Sequence, residues 1–106
     1  MADLAREGLQ SDERYTESYI HHRINRGYGP VHIRRELQQR GVTDEMVEHV
    51  FDALDVDWTR AIQTVREKKF GSGMPAGFRE RSRQSRFLQY RGFSGEQINR
   101  LFRPTE

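Results

Sequence analysis

Residues 35–51 recur as residues 86–102 at a shift of 51, with no gap. Seven of the 17 positions are identical: Arg35/Arg86, Leu37/Leu88, Gln38/Gln89, Arg40/Arg91, Gly41/Gly92, Glu45/Glu96 and Phe51/Phe102. Val42/Phe93, Thr43/Ser94, Val47/Ile98 and Val50/Leu101 are chemically alike. A period near 50 residues points to a tandem array in which neighbouring units bury one another's faces. A chain of 106 residues has room for two such units.

The apolar spacing says what each unit is made of. Val47, Val50, Phe51 and Leu54 fall at i, i+3, i+4, i+7, one face of a helix, and Trp58, Ala61, Ile62 and Val65 repeat the pattern. Ile20/Ile24 and Ile33/Leu37 are i, i+4 pairs, and Ile98, Leu101 and Phe102 give a shorter version. No stretch alternates as a strand would, so the expected class is all-α. Stop and start signals divide the helices. Gly8 is expected to end a short first helix, and Ser11 or Asp12 to cap a second running to about Arg26 before Gly27. Pro30 suits a helix N1 position, where its missing N–H costs nothing, and Gly41 ends that helix. Thr43 caps 44–54, and Asp57 caps a helix from Trp58 to about Lys69. Residues 70–77, with three glycines and a proline, read as a loop, followed by a helix over 78–91. Ser94 and Gln97 form a capping box for a last helix to Phe102, and Pro104 opposes its continuation. The expected domains are residues 1–10, the tail of an incomplete first repeat; 11–56, a three-helix repeat; and 57–106, a second with a Gly-rich insertion at 70–77.

Composition narrows the function. Leu, Ile, Val and Phe make up 23 of 106 residues while charged residues reach 32%, so the core is thin and a dry catalytic pocket is a poor expectation. With no cysteine there is no disulfide framework, thiolate metal site or Cys nucleophile, which fits a reducing, cytoplasmic setting. No apolar run approaches the length of a membrane span, and Met1–Gln10 lacks the apolar core of a signal peptide. The net charge of +2 hides an imbalance. Residues 1–57 carry 7 basic and 12 acidic side chains, and residues 58–106 carry 11 basic and 4 acidic. An anionic partner for the second half, or a match between the halves, follows.

No catalytic constellation stands out, and no cofactor or metal is expected. His21, His22, His32 and His49 lack the i, i+4 ligand pairing that metal-binding helices use. Gly71-Ser72-Gly73 lacks the Lys and Ser/Thr of a phosphate loop. A helix-turn-helix reading fails for residues 44–54, whose exposed face is acidic and repels phosphate; Gln97, Asn99 and Arg100 on the last helix suit base edges better, but that helix is short. Tyr15, Tyr19 and His22, with Arg23, Arg26 and the glycine-bracketed Tyr28, read either as packing or as recognition residues. The candidate anion or nucleic-acid contacts are Lys68, Lys69, Arg79, Arg83, Arg86, Tyr90 and Arg91. Arg79, Arg83 and Arg86 share one helix face, which Tyr90 continues; guanidiniums bind phosphate or carboxylate, and aromatic rings stack on bases. A solvated helix face is the alternative.

Asp12-Glu-Arg-Tyr-Thr-Glu-Ser-Tyr-Ile20, Arg26-Gly-Tyr-Gly-Pro30, Ile33-Arg-Arg-Glu-Leu37, Arg40-Gly41 and Arg86-Phe-Leu-Gln-Tyr-Arg-Gly-Phe-Ser94 followed by Ile98 resemble the RecX family, regulators of the RecA recombinase. The resemblance covers almost the whole chain. It implies three-helix repeats, typically three, forming an extended, curved array. It implies a non-enzymatic protein that binds the groove of the RecA–ssDNA filament, with some affinity for single- or double-stranded DNA. The implied outcome is less ATP hydrolysis, strand exchange and filament extension, affecting DNA repair and the SOS response. Family members usually begin with a further repeat before the segment matching Leu4–Tyr15, so this chain is expected to start near that repeat's end. A monomer is expected, with self-association through an open first face as the alternative. A helical nucleic-acid-binding module using the basic half is the competing function.

Overall fold

The computed structural model describes residues 2–103, with side chains from Asp12 onward. It has six helices and, among the described residues, no strand: α1 Ala2–Asn25, α2 Pro30–Gln39, α3 Asp44–Leu54, α4 Trp58–Phe70, α5 Phe78–Tyr90 and α6 Gly95–Phe102. The C-terminal part of α1 packs with α2 and α3, and α4 packs with α5 and α6. The molecule measures 55 × 25 × 20 Å with a radius of gyration of 16.1 Å. A compact domain of this length would have about 13 Å, so the two bundles lie along an axis.

The repeat seen in the sequence is a repeat of hydrogen bonds. Leu37 and Leu88 are fully buried, one turn before Gly41 and Gly92, whose φ values are +87° and +99°. In the first unit the Gly41 N–H donates to the Gln38 carbonyl and the Val42 N–H to the Leu37 carbonyl; in the second, Gly92 donates to Gln89 and Phe93 to Leu88. This is the Schellman closure, in which a left-handed residue lets the chain turn back onto the last carbonyls. The end of α1 repeats it, with Gly27 donating to Ile24 and Tyr28 to Arg23. Thr43 and Ser94 then cap α3 and α6, and the Ser94–Gln97 box is complete in both directions. Asp57 caps α4 through the Arg60 N–H.

Each bundle has its own small core. Ile20, Ile33, Leu37, Val47, Val50 and Phe51 form the first; Ile62, Leu88, Phe93, Ile98 and Phe102 form the second. Trp58 belongs to both, its ring meeting Phe51 edge-on at 5.8 Å and Phe93 at 6.4 Å. The junction is closed by backbone: the Gly29 N–H donates to the Arg91 carbonyl at 2.8 Å and the Val31 N–H to the Gly92 carbonyl at 2.9 Å. A Cβ on Gly29 would sit 2.6 Å from the Gly92 carbonyl carbon, and one on Gly92 would sit 2.7 Å from the His32 backbone nitrogen. Both positions must therefore lack a side chain.

Two expectations need correction. Gly8 does not end a helix, and neither Ser11 nor Asp12 caps a new one, because α1 is continuous from Ala2 to Asn25. An interior glycine costs only about 1 kcal/mol relative to alanine, which the bonds on either side absorb. Phe70 is not in the loop; it closes α4, with its ring against Phe87 at 5.4 Å, and the irregular segment is 71–77. Pro104 lies outside the described residues.

The two cores also differ at positions outside the identical part of the repeat. The first repeat buries Ile20 and Ile33; the second buries Arg66 and Gln84, each 3% exposed. Gln84 corresponds to Ile33 at the shift of 51. Arg66 lies four residues after buried Ile62, as Ile20 lies four after buried Thr16. The Arg66 guanidinium donates to the Gly73 carbonyl at 2.9 Å and, at 3.4 Å, to the Ser72 carbonyl and Gln84 Oε1. The second core thus trades apolar contact for a tie on the 71–77 segment.

Candidate functional site

The structure divides the seven candidate contact residues among three places. Lys68, Lys69 and Arg91 line a groove of about 700 Å³ between the repeats. Its floor is apolar, built from Ile24, Leu54, Val65 and Phe87, and Arg26 and Arg60 add further cations. Helix periodicity brings them together: Arg60, Thr64 and Lys68 are successive i, i+4 positions on the outer side of α4, while Ile62 faces the core. Arg26 comes from the end of α1 and Arg91 from the end of α5, so closure of the junction builds the groove. Arg91 is held there. Its Nη1 donates to the Arg26 carbonyl at 3.3 Å, and its guanidinium lies 5.1 Å from the Tyr28 ring and 5.4 Å from that of Phe87.

Arg79, Arg86 and Tyr90 occupy the outer side of α5. Tyr90 is 86% exposed and Phe78, at the start of the same helix, 84%. At 1.5 Å rise and 100° per residue the two positions lie about 18 Å apart along the helix axis and about 120° apart around it, with Arg79 and Arg86 between them along the axis. Among the described residues, neither arginine makes an ion pair. Arg86 and Phe78 border a shallow cleft of about 500 Å³ shared with Arg81, Ser82, Ser85, Gln89 and Asn99.

Arg83 stands apart from this pair. Its Nε and Nη2 donate to the two carboxylate oxygens of Glu80 at 3.1 and 2.9 Å, and its guanidinium covers the Phe70 ring at 5.0 Å. The hydrogen bonds from Arg83, then from Gln84, hold the Glu80 carboxyl below its ordinary range. An arginine already neutralised in this way has less charge to offer a phosphate. Gln97 is likewise occupied, its Oε1 accepting from the Ser94 N–H, and Arg100 reaches Glu96 at 3.4 Å. Of the groups on α6 that suit base edges, Asn99 is left.

Two of the three tyrosines of the first repeat, Tyr19 and Tyr28, are packing residues set against the first core. Glu36 accepts from Tyr19 Oη at 2.7 Å and from Arg23 Nε and Nη2 at 3.0 Å each, with His32 Nε2 at 3.1 Å. Burial raises the Glu36 carboxyl, but the Tyr19 hydrogen bond and the charges of His32 and Arg23 outweigh it, and its pKa falls below the ordinary value. Burial, followed by the Glu36 hydrogen bond, raises that of Tyr19. Arg23 stacks on Tyr28 at 4.1 Å, and Tyr28 stacks on His32 at 4.6 Å. Tyr28 therefore links this network to Arg91 of the second repeat. Tyr15 is more exposed, with its ring beside Tyr19 and Arg40 Nη1 donating to its hydroxyl.

No group of three or more His, Cys, Asp or Glu is placed to hold a metal among the described residues. None of their helices is long and apolar enough to cross a membrane. Sequence reasoning missed Arg26 and Arg60 in the groove and Phe78 on α5. The two i, i+4 steps from Arg60 through Thr64 to Lys68 were the available signal, and the place of Phe78 beside Arg79 was another.

Comparison with known proteins gives the same division into units. Residues 11–50 match the family model described as "RecX, second three-helix domain", and residues 55–102 match "RecX, third three-helix domain". A regulatory protein RecX of Halorhodospira halophila is 46% identical over 95 residues, covering 90% of this chain and 59% of that protein. One of Pseudomonas entomophila is 47% identical over 98 residues, covering 92% and 63%. One of Ectopseudomonas mendocina is 41% identical over 100 residues, covering 94% and 67%. The chain thus spans about three-fifths to two-thirds of the length of these curated relatives. With two adjacent repeats, each built on the Gly–hydroxyl turn and each matched in order by the family's own domains, the chain belongs to the RecX family.

Proposed function

We propose that the chain is a non-enzymatic regulator that binds the RecA–ssDNA filament and restrains ATP hydrolysis, strand exchange and filament extension, and through them DNA repair and the SOS response. The observation that carries this reading is the pairing of two RecX domains into one elongated body whose second half carries unpaired cations on two surfaces. An extended array offers a broad surface and suits a helical polymer better than a small ligand. The cations face anionic chemistry, whether phosphate or carboxylate. Arg79, Arg86 and Tyr90 on α5, with Lys68, Lys69 and Arg91 in the groove, are the residues assigned to filament contact, and Arg83 is a lesser contributor. The test is ssDNA-dependent ATP hydrolysis by RecA with increasing amounts of the chain, together with co-sedimentation with filaments. Loss of both signals overturns the reading.

One observation favours a second reading, direct binding of single-stranded nucleic acid. Two nearly fully exposed aromatic rings, Phe78 and Tyr90, flank Arg79 and Arg86 on one helix. Exposed rings stack on bases at about 1–3 kcal/mol each, and arginines between them follow the backbone. Fluorescence anisotropy with an oligothymidylate decides it: affinity falls with rising salt and drops with Phe78→Ala and Tyr90→Ala. Binding at low salt that ignores both substitutions argues against it.

A further inference from the structure

The groove between the repeats differs chemically from the outer face of α5. Its floor is made by Ile24, Leu54, Val65 and Phe87; the Phe87 ring is half-buried, packed edge-on against Phe70 and covered by Lys69 and Arg91, and the exposed imidazole of His21 also lines the groove. The floor therefore presents no free ring to a base, and the single His21 imidazole gives no run of rings for successive bases. Around the floor stand Arg26, Arg60, Lys68 and Lys69, none of which makes an ion pair among the described residues. Asp55 and Asp57 stand at one end, and the Asp57 carboxylate is taken up by capping α4. An apolar trough with a cationic rim is complementary to an amphipathic segment that buries aliphatic side chains and points carboxylates outward. It is a poor match for a sugar–phosphate strand, whose bases would lie unstacked on aliphatic carbon.

We propose that this groove is a docking site for an acidic peptide segment of a protein partner, with two or more bulky apolar side chains on its floor and carboxylates on Arg60 and Lys68. The inference rests on the regulatory reading above only in supposing a protein partner. The volume of about 700 Å³ is in the range of pockets that enclose several side chains. The groove exists only while the junction is closed, because Gly27 lies against both Val65 and Arg91 across it, its Cβ position falling 3.6 and 3.8 Å from them. Peptide occupancy and repeat docking should therefore reinforce each other.

The test uses the full chain and a labelled synthetic peptide of about 14 residues, with glutamates around leucines at i, i+3, i+4 and i+7, followed by fluorescence anisotropy. Saturable binding is expected. It should weaken by at least about tenfold when the leucines become serines, since the serines bury no apolar surface on the floor. It should weaken on the order of tenfold in Arg60→Glu/Lys68→Glu, an exposed pair whose folding circular dichroism verifies. An oligothymidylate of equal charge should not displace the peptide. The inference is overturned by absence of peptide binding, by equal binding of the serine peptide, by indifference to the double variant, or by displacement by the oligonucleotide. Sedimentation of the chain alone adds one more check, since a self-associated form blocked by the double variant would make a second copy the occupant. Inhibition of RecA by the wild-type chain is read separately, so a wild-type chain that inhibits RecA but binds no peptide refutes this groove and not the regulatory function.

Discussion

Gly41 and Gly92 are equivalent in the repeat and have similar left-handed φ values, yet only Gly92 faces the other bundle. Alanine at the two positions therefore separates local strain from junction energy. A Cβ at Gly41 meets nothing within 4 Å. Gly41→Ala should cost only the left-handed penalty, about 1–2 kcal/mol. At Gly92 the same penalty applies, but the new Cβ drives into the His32 backbone, which α2 holds rigid. The chain must back away, breaking the Gly29-to-Arg91 and Val31-to-Gly92 hydrogen bonds at about 1 kcal/mol each. Gly92→Ala should thus cost about 3–4 kcal/mol. At about 4–8 °C per kcal/mol for a domain of this size, its melting midpoint should lie about 8–16 °C below that of Gly41→Ala. Thermal and urea unfolding followed by far-UV circular dichroism measure the difference, and small-angle scattering should show a larger radius of gyration than 16.1 Å for Gly92→Ala alone. Equal costs for the two alanines, with unchanged scattering, would refute the claim that the backbone junction holds the repeats together.

Other perturbations test other parts of the account. Arg66→Ile/Gln84→Ile copies the Ile20/Ile33 pair of the first core; it should stabilise the fold by about 1–2 kcal/mol while protease cuts the 71–77 segment faster, both read on one sample by melting and limited proteolysis. Glu36→Gln should cost about 2 kcal/mol at neutral pH by leaving Arg23 and Tyr19 short of an acceptor. Because the fold lowers the Glu36 pKa, its contribution is complete above the ordinary carboxylate value of 4.5 and fades as pH falls through the lower folded value. The variant should therefore lose less stability than the wild type as pH falls below 4.5. On oligothymidylate, Arg79→Ala and Arg86→Ala should each reduce the slope of log affinity against log salt by about 0.7, and Arg83→Ala by less, because Glu80 already neutralises Arg83.

Helix positions and repeat register were legible in the sequence because they depend on local chemistry. Gly41, Gly92, Thr43, Ser94 and Pro30 act within a turn or so of where they stand, and each does in the structure what its residue type implies. Gly8 misled because an interior glycine weakens a helix by only about 1 kcal/mol and does not by itself end one, so α1 runs through it. The clustering of basic residues in the second half was also visible, but their partition was not. Whether an arginine is free depends on its neighbours in space. Arg83 finds Glu80 within its own helix, which i, i+3 spacing could have shown; Arg91 finds Tyr28 and the Arg26 carbonyl 65 residues away in sequence, which no local rule predicts. Arg66 hid in an apolar period. Its burial follows from the 71–77 segment folding back to supply carbonyls, a contact that exists only in the assembled bundle.

The central claim is that the second repeat's free cations bring this RecX-family chain onto the RecA filament. The most direct measurement compares wild type with Arg79→Glu/Arg86→Glu in RecA co-sedimentation on ssDNA, with both proteins verified as folded. The account predicts that the wild type pellets with filaments and lowers ATP hydrolysis, and that the double variant stays largely in the supernatant and inhibits at least about tenfold less well. Equal pelleting and inhibition by the two proteins would contradict it.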